Sequence, residues 1–204
     1  DIQRDLSVAL GSNAVSPLEI TNAYATFASG GWYERPILIT RIEDTSGKIL
    51  FEHKSERKRG TTSKVAFRIT EIMQAVITHG TGKRARALGR PAAGKTGTTD
   101  DGIDTWFVGY TPNLVTSVWV GFDDRRPVKK ATGGRIAAPI WTRFMTAAHE
   151  GVEVSQFRAP PGLAPLPAIG QETVAIRTEV PDGEEPDEDA RPLADDAQVD
   201  LLYE

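Results

Sequence analysis

A lysine and three threonines lie close together in a short glycine-rich stretch, GKTGTTDDG, at residues 94–102. Lys95 supplies a positive charge, and the hydroxyls of Thr96 and Thr98 point to the same side if the stretch is a β-strand. The glycines leave little side-chain bulk, so a substrate backbone can lie alongside the strand. A backbone N–H at the strand edge can also donate to a developing oxyanion. The stretch therefore fits an acyl-transfer site for a peptide that ends in a carboxylate.

Plainer interpretations of the same stretch stay open on these residues alone. A lysine in a Gly/Thr-rich segment is usually solvated, and a glycine-rich segment often serves only turn geometry. A nucleotide phosphate loop is set aside because such a loop opens a helix. Here an apolar β pattern, TWFVGY at residues 105–110, follows the lysine.

The composition excludes several other kinds of site. The 204 residues include no cysteine, so there is no disulfide framework, thiolate nucleophile or cysteine metal site. His53, His79 and His149 do not have metal-ligand spacing, and we expect neither a metal nor another cofactor. The basic cluster at 125–130 lacks interleaved aromatic residues and the sequence pI is near 5.5, which argues against nucleic-acid binding. No apolar run reaches the length of a membrane span.

Charge is distributed unevenly along the chain. Residues 179–204 contain 11 acidic residues against Arg191 alone, so the rest of the chain is mildly basic within a total of −4. The segment from residue 159 is rich in proline and then in acid, and cannot bury enough apolar surface to order itself. We therefore predict a folded domain at 1–158 and a Pro-rich acidic disordered tail at 159–204.

Apolar residues at helical spacing predict three helices, at about residues 17–29, 65–77 and 137–149. Ser16 is the expected N-cap of the first, with Glu19 as its capping-box partner. In the last helix, Ile140 and Phe144 are expected to share an apolar face. These helices alternate with two hairpins, and this order predicts an α+β fold in which an antiparallel sheet is packed by helices.

Runs of β-branched and aromatic residues predict the two hairpins. The first joins strands at 37–42 and 48–52. The second, Asp104–Phe122, is apolar on both faces around Trp106 and Trp119, so it is expected to be central in the sheet with both faces covered. Asp104 is expected to make a structural hydrogen bond.

Lys95-Thr96-Gly97 also resembles the third signature of penicillin-binding proteins and serine β-lactamases, whose set is S-x-x-K, S-x-N and K-T-G. The sequence over roughly residues 6–150 also resembles class A penicillin-binding proteins. The resemblance lies in six segments that occur in the same order in that family: SPLEITNAYATFASGG, GTGKRARAL, GKTGTT, DTWFVGYTP, SVWVGFDD and GGRIAAPIW. The resemblance implies the C-terminal part of a D,D-transpeptidase domain with the penicillin-binding protein fold. Such a domain cross-links peptidoglycan stem peptides through an acyl-serine, and β-lactams acylate the same serine.

The resemblance also implies roles for individual residues of the stretch. Lys95 is expected to supply charge and to set the protonation of the hydroxyl network. The hydroxyls of Thr96 and Thr98 are expected to hold the carboxylate of the substrate or β-lactam. The backbone N–H of Thr98 is expected to form half of the oxyanion hole, and Gly97 and Thr99 complete the substrate-binding strand.

The chain departs from the family pattern at the nucleophile. It contains no S-x-N, and its one S-x-x-K is Ser55-Glu56-Arg57-Lys58. We interpret Ser55 as a decoy, because its surroundings are strongly basic and without apolar residues, whereas a nucleophile needs a buried helix start and a desolvated lysine. The nucleophile is therefore expected upstream of this chain, in a missing half of the domain that would be its partner.

The same departure leaves other functions open. The chain alone is expected to be inactive, and a non-catalytic module that binds peptidoglycan peptides is one alternative. A carboxypeptidase or β-lactamase relative is another. For the complete protein we expect a periplasmic or other extracytoplasmic location, with a membrane anchor outside this chain.

Overall fold

The computed structural model describes Leu6, Val8, Gly11 and residues 13–99 and 102–166. Within these residues there are three α-helices: α1, Pro17–Ala28; α2, Ser63–Thr78; and α3, Ala137–Ala148. A 3₁₀ helix spans Lys83–Leu88. The strands are β1 Trp32–Tyr33, β2 Arg41–Glu43, β3 Ile49–Glu52, β4 Lys58–Arg59, β5 Ala93–Thr98, β6 Asp104–Tyr110 and β7 Val115–Gly121. This mixture of helices and antiparallel sheets confirms the predicted α+β class.

The main sheet has the strand order β5-β6-β7, and all its pairings are antiparallel. Its register places Thr96 opposite Phe107 and Gly97 opposite Trp106. The expectation that the whole second hairpin is central holds only for β6, because β7 has no further partner among the described residues. Trp119 on β7 is 38% exposed, so its face of the sheet is not fully covered.

The remaining strands form two small sheets, one of β2 and β3 and one of β1 and β4. The first hairpin is confirmed, although its first strand is shorter than the predicted 37–42. The β1–β4 pair was not predicted, because two-residue strands are too short to show a periodic pattern.

Helices pack on both faces of β6 because successive side chains of a strand alternate between faces. On one face, Phe107 contacts Trp141 of α3 with ring centroids 5.1 Å apart. On the other, Tyr110 packs with Met73 of α2 and with Tyr24 of α1. All three helices are therefore anchored to the strand that pairs with β5.

The apolar face of α3 differs from the prediction. Ile140 and Phe144 are 46% and 52% exposed, whereas Trp141 and Met145 are completely buried. Both sets have helical spacing, so periodicity alone does not distinguish them. The Trp141 indole decides the outcome, because it buries the largest apolar surface and its N–H reaches the carbonyl oxygens of Gly109 and Thr116.

The start of α1 agrees with the sequence. Ser16 and Glu19 form the reciprocal capping box. The backbone N–H of Ser16 donates to the Glu19 carboxylate, and this bond lowers the pKa of Glu19. None of the described helices is long and apolar enough to cross a bilayer. The predicted tail is described only as far as residue 166, and up to that point it forms neither helix nor strand. The rest of the tail lies outside the described residues.

Candidate active site

Strand β5, Ala93–Thr98, carries the Lys-Thr-Gly stretch at the edge of the described sheet. Beyond its end, the Thr99 N–H donates to the Asp104 carbonyl oxygen at 3.0 Å, and the Asp104 N–H donates to Thr99 Oγ1 at 2.8 Å. Hydrogen-bonded pairs alternate along an antiparallel ladder. The N–H of Thr98, one residue earlier, therefore points away from β6 toward the open edge of the strand.

The glycines of β5 are needed for its packing against β6. A side chain at Gly94 would place Cβ 2.8 Å from the Phe107 ring and 2.9 Å from the Val108 carbonyl oxygen. At Gly97 the Cβ would lie 3.2 Å from Cβ of Trp106. The bare backbone thus lets β5 approach β6 closely, in addition to leaving its outer edge unobstructed.

The side chains of Thr96 and Thr98 lie on one side of β5 and line a cavity of about 390 Å³. Thr96 Oγ1 lies 2.7 Å from Thr81 Oγ1. Thr98 Oγ1 accepts a hydrogen bond of 3.1 Å from the Gly133 N–H. Sequence spacing correctly predicted that the two hydroxyls share a side, and the structure adds a protein partner for each.

Cations dominate the charge of this cavity. The described residues that line it are threonines, one glycine and three basic side chains, with no carboxylate among them: Thr81, Lys83, Arg84, Thr96, Thr98, Thr132, Gly134 and Arg135. The Arg84 guanidinium donates to the Arg135 carbonyl oxygen at 3.0 Å, which joins the 3₁₀ helix to the loop before α3. These flanking residues were not predicted as site residues from the sequence. The sequence feature that could have indicated them is the pair of glycines in each neighbouring segment, GTG at 80–82 and GG at 133–134.

The lysine of the stretch lies on the other face of β5. Lys95 is exposed, is not part of the cavity lining, and its ammonium donates to the Thr96 carbonyl oxygen at 2.8 Å. The hydroxyl of Thr99 accepts the Asp104 N–H and so closes the turn to β6. The structure therefore brings Thr96 and Thr98 together, and places Lys95 and Thr99 beside them along the strand.

Gly89–Thr96 also has the G-x-x-x-x-G-K-T spacing of a nucleotide phosphate loop. In such a loop, the lysine and threonine open a helix. Here Lys95 and Thr96 lie within β5, which leads into another strand. The structure therefore supports setting this motif aside.

Ser55 lies in a different setting, between β3 and β4. Its hydroxyl donates to the Glu34 carboxylate, which also pairs with Arg57 at 3.2 Å. The bond from Ser55 is the main reason that the pKa of Glu34 is lowered. Lys58 lies in β4 opposite Tyr33, so the serine and lysine do not share a helix turn as S-x-x-K chemistry requires.

A larger cavity of about 530 Å³ lies near the same loop, but its lining charges are mixed. Glu34, Glu52 and Glu56 alternate there with basic side chains, and none of the predicted site residues contributes to it. No group of three His, Cys, Asp or Glu residues within the described part of the chain has a geometry suited to a metal.

Two other predicted polar residues have structural partners. The Asp104 carboxylate accepts the Trp119 indole N–H at 2.8 Å, which confirms the expected structural hydrogen bond. His149 is buried at the end of α3, where its ring nitrogens lie 2.8 Å from the Met145 carbonyl oxygen and 2.9 Å from Thr111 Oγ1.

Comparison with known proteins finds similarity to penicillin-binding proteins. A family model described as the penicillin binding protein transpeptidase domain matches residues 2–146. Penicillin-binding protein 1A of Aquifex aeolicus is 40% identical over 156 residues, which cover 76% of this chain and 22% of that protein. Penicillin-binding protein 1A of Pseudomonas aeruginosa is 34% identical over 218 residues, which cover 81% of this chain and 26% of that protein. The chain thus spans about a quarter or less of the length of these relatives.

Solved structures give the same picture. A crystal structure of penicillin-binding protein 1A from Haemophilus influenzae is similar with a TM-score of 0.71 at 28% identity, covering 76% of this chain and 29% of that one. The structure of the PonA1 protein from Mycobacterium tuberculosis in complex with penicillin V is similar with a TM-score of 0.66 at 29% identity, covering 76% of this chain and 43% of that one.

Proposed function

This chain belongs to the family of penicillin-binding protein transpeptidase domains, and we propose that it supplies the carboxylate-binding strand of such a domain. The observation that carries the proposal is the paired placement of Thr96 and Thr98 in one cationic cavity. Both hydroxyls lie on the edge strand beside an N–H that points outward. A peptide terminus or a β-lactam carboxylate is the ligand that this arrangement fits, and a relative of similar fold is described in complex with penicillin V.

The reaction that we propose is acyl transfer to a serine outside this chain. The serine oxygen attacks the carbonyl carbon of the penultimate D-alanine, and the peptide bond to the terminal D-alanine breaks. The serine proton passes through a base to the leaving amine. An amine of a second stem peptide then takes the acyl group and releases the serine. A β-lactam acylates the same serine when its ring amide opens, and the released ring nitrogen takes the proton and stays attached to the acyl group.

Residues 95–99, in β5 and just after it, each have a defined part in this proposal. The hydroxyls of Thr96 and Thr98 donate to the carboxylate, and the outward N–H of Thr98 donates to the oxyanion that develops on the attacked carbonyl. Lys95, on the opposite face, supplies positive charge to the hydroxyl network of the nucleophile. Gly97 and Thr99 keep the strand edge open and hold its turn.

The proposal places the nucleophile upstream because Ser55 lacks the required setting. A serine that donates to a carboxylate, with its lysine on a strand, has no desolvated base to activate it. The open edge of β7 and the exposed Ile140 and Phe144 on α3 are surfaces that an upstream half of the domain can cover. From the similarity to penicillin-binding proteins 1A, we also propose an extracytoplasmic protein whose membrane anchor lies outside this chain.

The test is the acylation rate of the complete protein, meaning this chain joined to the segment that carries the nucleophile, with a fluorescent penicillin. Thr98→Val removes one carboxylate donor and is expected to lower the second-order rate about tenfold or more. Ser55→Ala is the matched control and is expected to retain the full rate. Equal rates for wild type and Thr98→Val, with normal folding, would argue against this site.

A non-catalytic module that binds peptidoglycan peptides remains the second candidate. It is favoured by the fact that none of the described helices carries an S-x-x-K motif. In that case the complete protein would bind a peptide with a C-terminal carboxylate but would form no covalent adduct with penicillin.

A further inference from the structure

We propose that the carboxylate receptor extends beyond the Lys-Thr-Gly motif, with Thr81 positioning the Thr96 hydroxyl and with Arg84 and Arg135 forming a cationic wall that attracts the ligand's carboxylate. This inference rests on the proposed function, since it concerns the same cavity. It adds residues from two segments outside β5, the start of the 3₁₀ helix and the loop before α3.

The hydrogen-bond directions at the two threonines support the role of Thr81. A carboxylate only accepts hydrogen bonds, so each threonine must give it the single hydrogen of its hydroxyl. Thr98 keeps that hydrogen free because it accepts from the Gly133 N–H at 3.1 Å. Thr96 is in the same position once Thr81, 2.7 Å away, donates to it. With Thr81 as the donor of its bond, each ligand-binding hydroxyl has a protein donor and keeps its own hydrogen for the carboxylate.

The loop before α3 fits tightly against β5 and against the segment of Thr81. A Cβ at Gly133 would overlap the Trp106 carbonyl oxygen, and one at Gly134 would overlap the Thr81 carbonyl oxygen. Arg84 fastens the same loop by donating to the Arg135 carbonyl oxygen at 3.0 Å. The strand β5, the segment of Thr81 and Arg84, and the loop before α3 therefore pack closely around the two threonine hydroxyls before any ligand binds. This preorganisation lowers the entropic cost of binding.

Charge makes the cavity selective for an anion. Arg84 and Arg135 line it together with Lys83, and no acidic side chain among the described residues lines it. None of these three cations takes part in an ion pair between described residues. They are exposed, so their attraction for a carboxylate should weaken as the ionic strength rises.

The test measures acylation of the complete protein by benzylpenicillin and by its methyl ester, which lacks the carboxylate charge. The quantity compared is the ratio of the two second-order rates. Thr81→Val is expected to lower this preference for the acid about threefold to tenfold, and Thr81→Ser is expected to restore it. Thr78→Val is the matched control, since that hydroxyl bonds to its own helix at Gln74.

The double variant Arg84→Gln and Arg135→Gln tests the cationic wall. Its preference for the acid is expected to fall at low salt, and to approach that of wild type at high salt because screening removes the same attraction. Melting curves of all variants check that the fold is intact.

Three results overturn the inference. If Thr81→Val slows the acid and the ester equally, Thr81 acts only on stability. If the acid preference of the double variant equals that of wild type at low salt, the arginines do not attract the carboxylate. If wild type is acylated by neither compound, the proposed function itself fails, which separates that failure from the other two.

Discussion

The backbone N–H of Gly133 donates to the hydroxyl oxygen of Thr98 at 3.1 Å, and this contact joins the loop before α3 to the candidate ligand-binding strand. The bond leaves the Thr98 hydrogen free to point into the cavity. It also requires the loop to approach β5 so closely that only glycine fits at position 133.

Gly133→Ala is therefore expected to displace this loop. The new Cβ would overlap the Trp106 carbonyl oxygen and would lie 2.7 Å from the Gly97 carbonyl oxygen, both of which are backbone atoms that cannot turn away. We expect a loss of about 2 kcal/mol or more in the unfolding free energy, measured by urea denaturation, together with slower penicillin acylation of the complete protein.

Gly47→Ala provides the matched control for this change. Gly47 has a positive φ of 84° but open space around its Cβ position. The substitution should therefore lower the unfolding free energy by only about 1 kcal/mol. Equal losses for the two variants would contradict the close approach at Gly133.

The buried face of α3 gives a second prediction. Trp141 is fully buried and its indole N–H has two carbonyl acceptors, so Trp141→Ala should lower the unfolding free energy by about 3–5 kcal/mol. Phe144→Ala, three residues further on the exposed face, should cost about 1 kcal/mol or less in this chain. Urea denaturation measures both values. A larger loss for Phe144→Ala than for Trp141→Ala would show that the helix presents its other face to the sheet.

Stability at high pH gives a third prediction. Burial of the phenol raises the pKa of Tyr110 to about 12, from an ordinary value of 10.0, although a hydrogen bond with Thr70 opposes the shift. Because the folded state holds the proton more tightly, this contribution to stability is complete below pH 10 and is lost as the pH rises toward 12. Urea denaturation across this range should show a falling unfolding free energy.

Tyr110→Phe tests that assignment. The variant lacks the ionisable group, so its unfolding free energy should fall less steeply over the same pH range. Tyr24 keeps part of the effect, since burial raises the pKa of that phenol as well. Identical slopes for wild type and variant would contradict the assignment to Tyr110.

Local sequence signals predicted most of the fold. The capping residues at Ser16 and Glu19 located the start of α1, and the aromatic and β-branched runs located β6 and β7, because both signals act between near neighbours in the chain. The buried face of α3 was predicted wrongly, since the choice between Trp141 and Phe144 depends on carbonyl acceptors in distant strands.

For the candidate site, too, the local arrangement was predictable from the sequence and the long-range contacts were not. Alternation along a strand placed Thr96 and Thr98 on one side, and the structure agrees. The contacts of Thr81 and Gly133 could not be predicted, because they join segments 15 and 35 residues away from their partners on β5. Alternation also places Lys95 on the opposite face, but spacing could not show that its ammonium donates to the Thr96 carbonyl oxygen.

The most direct test of the central claim is to locate the penicillin adduct. The complete protein and its Ser55→Ala variant are labelled with penicillin, digested, and examined by peptide mass spectrometry. The account predicts one adduct, on a serine outside these 204 residues, in equal yield in both proteins. An adduct on Ser55 that disappears in the variant would contradict it and would place the nucleophile within this chain.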